Sequence, residues 1–143
     1  MKIQLVRSVK TPNRGTDKSA GIDFYIPEDF QTKIIGLGES VLIPSGVKAQ
    51  IPEGYMWLAL NKSGVATKLG LQVGAQVVDE DYEGEIHIHV TKITHGTVQL
   101  DAGMKIVQLA LIKVSYENVE LVDELQPRNT QRGSGGFGST GTY

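Results

Sequence analysis

The chain has 143 residues, enough for one domain with a core of its own. Its 40% hydrophobic and 21% charged content is that of an ordinary soluble fold, and a formal charge of -2 leaves out the broad basic surface that duplex nucleic acid demands. The absence of cysteine excludes disulfides and thiolate chemistry; no apolar run has membrane-spanning length and the start "MKIQLVRSVK" is too charged for a signal peptide, so the expectation is a cytoplasmic protein without nucleic-acid or membrane partners.

In chain order the signals are those of strands. "KIQLV", "ESVLI", "VKAQI" and "YMWLAL" are short apolar or β-branched runs bounded by Gly, Pro or Ser. One short helix is expected in "SGVATKLG", with Ser63 as its cap, Gly70 as its end, and Val65 and Leu69 on one face. "GEIHIHVTKI" alternates, with Ile86, Ile88 and Val90 on one face and His87, His89 and Thr91 on the other. "KIVQLALIKV" and "ENVELV" read as two more strands, for roughly ten or more in all, at the spacing of a sandwich or barrel. After Leu125 the composition changes: residues 126–143 hold no Val, Ile, Leu, Met or Trp. The organisation expected is a β-rich core over 1–125 and a mobile Gly-rich arm over 126–143, because such an arm cannot offset its ordering entropy by burial.

Five stretches hold residues suited to chemistry. In "SAGIDFYIPED", Asp23 lies between Ile22 and Phe24, either as a polar ligand or as the solvent face of a strand. In "LNKSGVATK", Lys62, Ser63 and Gly64 at a helix start are an anion site or an ordinary capped turn. "VGAQVVDEDYEGEI" reads as a hairpin. Asp79 stands at the end of a strand, where a carboxylate can orient and deprotonate water, and Tyr82 offers a ring to a flat ligand or a sugar. The alternative there is an acidic turn whose Asp79 and Asp81 bond local amides. Gln108, among the apolar residues of "GMKIVQLAL", needs amide partners from the backbone or from something bound. The tail "RGSGGFGSTGTY" is either a flexible Gly/Ser end or an arm that orders over a ligand. For the second reading, glycines let backbone N–H groups cradle an anion, Arg132 adds a phosphate fork, Ser134, Ser139 and Thr140 add hydroxyls, and Phe137 can stack on a base. His87 and His89 form an H-x-H pair, but two ligands do not make a zinc site, so a solvated or inter-subunit face is expected of them.

Taken in order, "AGIDF", "NKSGVA", "VVDEDYEGEI", "GMKIVQL" and "RGSGGFGSTG" resemble the five motifs of the homotrimeric, all-β deoxyuridine triphosphatases (dUTPases), over nearly the whole chain. The resemblance implies a distorted jelly-roll, β-barrel-like fold. It implies a homotrimer with active sites at the subunit interfaces, the C-terminal arm arriving from a neighbour. It also implies hydrolysis of dUTP to dUMP and pyrophosphate, with Mg²⁺ bound mainly through the triphosphate. By the same resemblance Asp79 would activate the attacking water, and Tyr82 would pack under the deoxyribose. Gly74, Ala75, Gln76, Val77 and Val78 would read the uracil, with Phe137 covering it. Lys62, Ser63, Gly64, Gln108, Arg132, Gly136, Ser139 and Thr140 would hold phosphates, and Asp23 would lie near the metal through its waters. Lys62 stands where the family usually has arginine, Asn61 where it commonly has proline and Gln76 where it usually has glycine. The same fold also serves dCTP deaminases, and a regulatory protein-binding module is a third reading. The intact Asp79 and the full glycine-rich arm favour the hydrolase.

Overall fold

A computed structural model describes residues 1–136 and Ser139. Eleven strands and one helix follow one another: β1 (Lys2–Leu5), β2 (Ile22–Phe24), β3 (Lys33–Gly36), β4 (Ser40–Pro44), β5 (Val47–Gln50), β6 (Tyr55–Asn61), α1 (Ser63–Leu69), β7 (Leu71–Gly74), β8 (Val77–Val78), β9 (His87–Lys92), β10 (Thr97–Leu100) and β11 (Val107–Lys113). All pairings between them are antiparallel. One sheet has the order β2-β11-β6-β8 and a second β4-β9-β7, with the pairs β1-β5 and β10-β3 beside them. These sheets wrap one core in a distorted jelly roll.

Side-chain alternation places that core. In β9 the residues Ile88 and Val90 are buried, with Ile86 just before the strand, while His87 stays exposed; β4 and β10 show the same period of two. Trp57 on β6 and Phe24 on β2 are fully buried and meet edge to face, their ring centroids 5.3 Å apart. Lys92 continues the apolar face of β9 and is buried too. Its ammonium is held by the Thr94 hydroxyl and the His95 carbonyl, which answers the cost of burying a charge.

Two local expectations are corrected. The residue that caps α1 is Lys62, with extended backbone and no side-chain cap; Ser63 is already inside the helix, where its carbonyl accepts from the Thr67 hydroxyl. Gly70 ends the helix in the left-handed region as expected, and Val65 and Leu69 pack on the core. "ENVELV" forms no strand. The last strand ends at Lys113, and Val119 and Leu121 are almost fully exposed. The segment has the composition of a strand, but among the described residues it pairs with none of the sheet edges.

Candidate active site

The site is built around the turn between β7 and β8. Ala75 lies there at φ 47°, in the left-handed region that few non-glycine residues adopt, and such strain persists only where the surroundings fix it. The surroundings are visible. The Ala59 N–H donates to the Gln76 carbonyl at 2.7 Å, and the Val73 N–H donates to Asn61 Oδ1 at 2.8 Å. Asn61 thus caps the free edge of β7 and ties it to β6, which belongs to the other sheet. Gly74 lies against the His89 ring, so close that a Cβ there would come within 2.4 Å of Nδ1. The Gln76 amide folds back toward the Val73 carbonyl at 3.4 Å.

Beyond β8 the chain turns sharply, the Tyr82 N–H donating to the Asp79 carbonyl at 3.2 Å. The bond uses the Asp79 backbone; among the described residues nothing donates to its carboxylate, which is exposed. Tyr82 folds over Gly84, where a Cβ would fall 2.4 Å from the phenol, and its hydroxyl donates to the Glu85 carbonyl at 2.9 Å. The same carbonyl takes His87 Nδ1 at 2.8 Å, which puts the ring proton on that nitrogen. The Glu85 carboxylate in turn holds Arg7 Nε at 2.8 Å and the Gly46 N–H at 2.7 Å. Burial pushes the Glu85 carboxyl upward, but these donors outweigh it and hold it below its ordinary value. One cavity of about 310 Å³ results, within the usual range for ligand pockets. Ala75, Val77, Val78, Asp79 and Tyr82 line it, together with Leu42, Ile86 and His87.

A second cavity, of about 510 Å³, brings Lys62, Ser63, Gly64 and Gln108 together with Val65, Lys68 and Lys105. Strand register explains the meeting. Gln108 on β11 stands opposite Asp23 on β2, and its neighbour Val107 opposite Asn61 on β6. The Gln108 amide donates to the Asn61 carbonyl at 2.9 Å, a backbone partner of the kind its position demanded. Asp23 sits beneath, buried, with Oδ1 paired to Lys62 Nζ and Oδ2 to Lys105 Nζ at 3.0 Å. Burial works to raise the Asp23 pKa, but the two lysines prevail and lower it; Lys105 is raised in return, first by its hydrogen bond to Asp23.

Of the tail residues, Arg132 Nε donates to the Gly135 carbonyl at 3.0 Å and the Ser139 N–H to the Gly136 carbonyl at 3.1 Å, so these bonds stay within the tail. Phe137 and Thr140 lie outside the described residues. Lys105, Lys68, Leu42 and His87 were not singled out for the site from the sequence. Lys105 lay in plain view three residues before Gln108, but only the β2–β11–β6 pairing shows that the two share a cavity.

Magnesium takes oxygen ligands. Both oxygens of Asp23 are already occupied by ammonium groups, and the cavity above it is lined by three lysines. As arranged, Asp23 turns both oxygens to ammonium groups and does not present them for direct ligation of a metal. Lysines of this kind suit the phosphates that a metal accompanies.

The chain's family follows from comparison with known proteins. The dUTPase family model matches residues 7–141, and the chain belongs to the dUTPase family. It is 36% identical over 138 residues to a deoxyuridine 5'-triphosphate nucleotidohydrolase of Dictyoglomus turgidum, covering 94% of this chain and 92% of the relative. It is also 36% identical to that of Paramecium bursaria Chlorella virus 1, covering 96% of this chain and 94% of the relative. Among solved structures, a mutant dUTPase of Staphylococcus bacteriophage 80alpha with dUpNHpp superposes with a TM-score of 0.87 at 23% identity, over 98% of this chain and 97% of that one. A mutant dUTPase of S. aureus phage phi11, whose structure is described as coordinating a structural Mg(II) ion, gives 0.76 at 23% identity, over 86% of this chain and 96% of that one. Both structural likenesses bear on the fold.

Proposed function

We infer that this chain hydrolyses dUTP to dUMP and pyrophosphate by attack of water on the α-phosphorus. The observation that carries the chemistry is the single cavity holding the β7–β8 turn, the Asp79 carboxylate and the Tyr82 ring. The base lies against residues Gly74 to Val78, whose backbone groups match the uracil edge and leave mismatched partners against cytosine. The deoxyribose rests on Tyr82, whose ring is fixed by Gly84 below and Glu85 beside it. Asp79 takes a proton from water as its oxygen bonds the phosphorus, while the bond to the pyrophosphate oxygen breaks and pyrophosphate leaves.

Lys62, Ser63, Gly64 and Gln108 hold the phosphates. Magnesium enters with the triphosphate and, when bound, offsets charge on the departing pyrophosphate. Residues 126–143 serve as an arm that closes over the nucleotide and excludes water, with Arg132, Gly136, Ser139 and Thr140 on phosphate and Phe137 over the base. The chain acts as a homotrimer with the arm supplied by a neighbour. Exposed Val119, Leu121 and Leu125 at the root of the arm support an additional contact surface there.

The test is a four-nucleotide assay. With dUTP, dCTP, dTTP and UTP in Mg²⁺, pyrophosphate is expected from dUTP alone, and ammonia from dCTP would overturn the reading. Asp79→Asn is expected to lower kcat by about 10²–10⁴-fold, the usual worth of a general base, while dUpNHpp still binds. A near-normal rate would remove Asp79 from the role given to it.

A further inference from the structure

The buried aspartate at the foot of the lysine cavity has the geometry of an anchor. Asp23 is 4% exposed, and each of its carboxylate oxygens meets a different ammonium, Lys62 on one side and Lys105 on the other. Those two lysines reach it from separate strands' ends, after β6 and before β11, while the Asp23 backbone is fixed by pairing with Gln108 and with Asn13. Their side chains remain partly open to solvent, 22% for Lys62 and 50% for Lys105, and both line the cavity that Gln108 also lines. An ammonium has three N–H donors. One spent on Asp23 leaves two for an incoming anion, and a long lysine stem tied at its tip has already lost most of the freedom that binding would otherwise remove.

We propose that Asp23 is a positioning residue that holds Lys62 and Lys105 as a paired phosphate clamp, and that Lys105 is a further phosphate-binding residue of this site. The proposal rests on the reading of the site given above. It assigns to Asp23 work that does not depend on a metal, and that is where it can be tested.

Binding of dUpNHpp is measured by calorimetry for the wild type, Asp23→Asn, Lys105→Gln and the double variant, first in EDTA and then across a Mg²⁺ titration. Asp23→Asn raises the positive charge of the cavity, which by itself favours an anion. If position matters more than charge, each single variant binds about tenfold more weakly in EDTA, from the renewed cost of fixing free lysine side chains. The double variant then loses less than the product of the two, as expected of groups acting as one unit. The Mg²⁺ concentration for half-maximal effect stays at the wild-type value. Unchanged or tighter metal-free binding by Asp23→Asn would overturn the proposal, as would a raised Mg²⁺ requirement without a metal-free defect. Lys105→Gln changes an exposed side chain, so it still tests the clamp if Asp23→Asn fails to fold. Normal dUpNHpp binding by Lys105→Gln in EDTA would then be decisive against it. A wild type that binds no dUpNHpp would instead sink the reading of the whole site, which separates the two failures.

Discussion

At the scale of single residues, Asp23 ties charge to stability. Its pKa in the fold lies below the ordinary 3.8, because the pull of Lys62 and Lys105 exceeds the penalty of burial. A carboxyl shifted down stabilises the fold at every pH above its unfolded value and loses that contribution as pH falls through its folded one. Asp23→Asn is therefore expected to be less stable than the wild type by on the order of 1–2 kcal/mol at pH 7. The gap should hold flat down to about pH 5 and close on further acidification below 3.8, as urea midpoints at pH 7, 5 and 3 would reveal. Lys105 works at the opposite end: raised above 10.5, it contributes below that pH and is lost as pH climbs through its folded value. Tyr82 gives a second residue-level test. Gly84→Ala puts a methyl group 2.4 Å from the phenol, so the ring must lift from its seat. KM for dUTP should rise about tenfold, the scale of a lost sugar contact, while the melting curve changes little because the turn is largely open to solvent. That Asp79 and Tyr82 share one turn was legible in the sequence, because they lie three residues apart. The ion pair of Lys105 was not, because its partner Asp23 comes from a strand far away in the chain.

At the scale of elements, the β7–β8 turn shows why local pattern stops short. Its turn-formers and acids between apolar runs read as a hairpin; the chain turns there, but β7 and β8 join different sheets and form no hairpin. What the pattern does not contain is the brace. β8 pairs with β6 rather than with β7, and Asn61 closes the gap from the end of β6. Asparagine replaces the family's common proline at this position, and a proline has no side-chain acceptor for the Val73 N–H. Asn61→Ala should cost about 1 kcal/mol in unfolding free energy, the net worth of a hydrogen bond, and lower kcat/KM for dUTP more than it lowers stability. A variant with loosened stability but unchanged kcat/KM would show that the brace serves the fold alone. The alternation read in "GEIHIHVTKI" held because one face of β9 meets the core; the similar lettering of "ENVELV" failed because nothing among the described residues covers Val119 and Leu121. Apolar spacing reports what a segment could bury, and the partner decides whether it does.

At the scale of the whole molecule, short strands at short spacing pointed to a sandwich or barrel, and the family resemblance narrowed this to the jelly roll that the structure has. The trimer is expected at three times the 15.5 kDa of one chain in light scattering. Removing residues 132–143 should leave that mass and the melting temperature in place while turnover is lost, since no strand lies beyond Lys113 among the described residues. The source of the arm can be read from mixed assemblies. Asp79→Asn chains co-refolded with truncated chains should regain roughly a quarter of wild-type activity if the arm crosses to a neighbour, because half the sites keep the carboxylate and half of those receive an arm. No recovery would place arm and carboxylate in the same chain's site.

The Tyr116 hydroxyl donates to Glu80 at 2.8 Å, and Glu80 also takes the Gly54 N–H at 2.7 Å. This small knot moors the outgoing chain beside the acidic turn that carries Asp79. From that mooring about twenty residues lead to the glycines, a leash of at most about 70 Å when fully drawn out. An arm that closes as proposed would meet its target at an effective concentration near millimolar, set by leash length and not by how much protein is in the cell. Cutting the mooring with Tyr116→Phe lengthens the leash without touching the glycines, so closure should become rarer while the closed state itself stays the same.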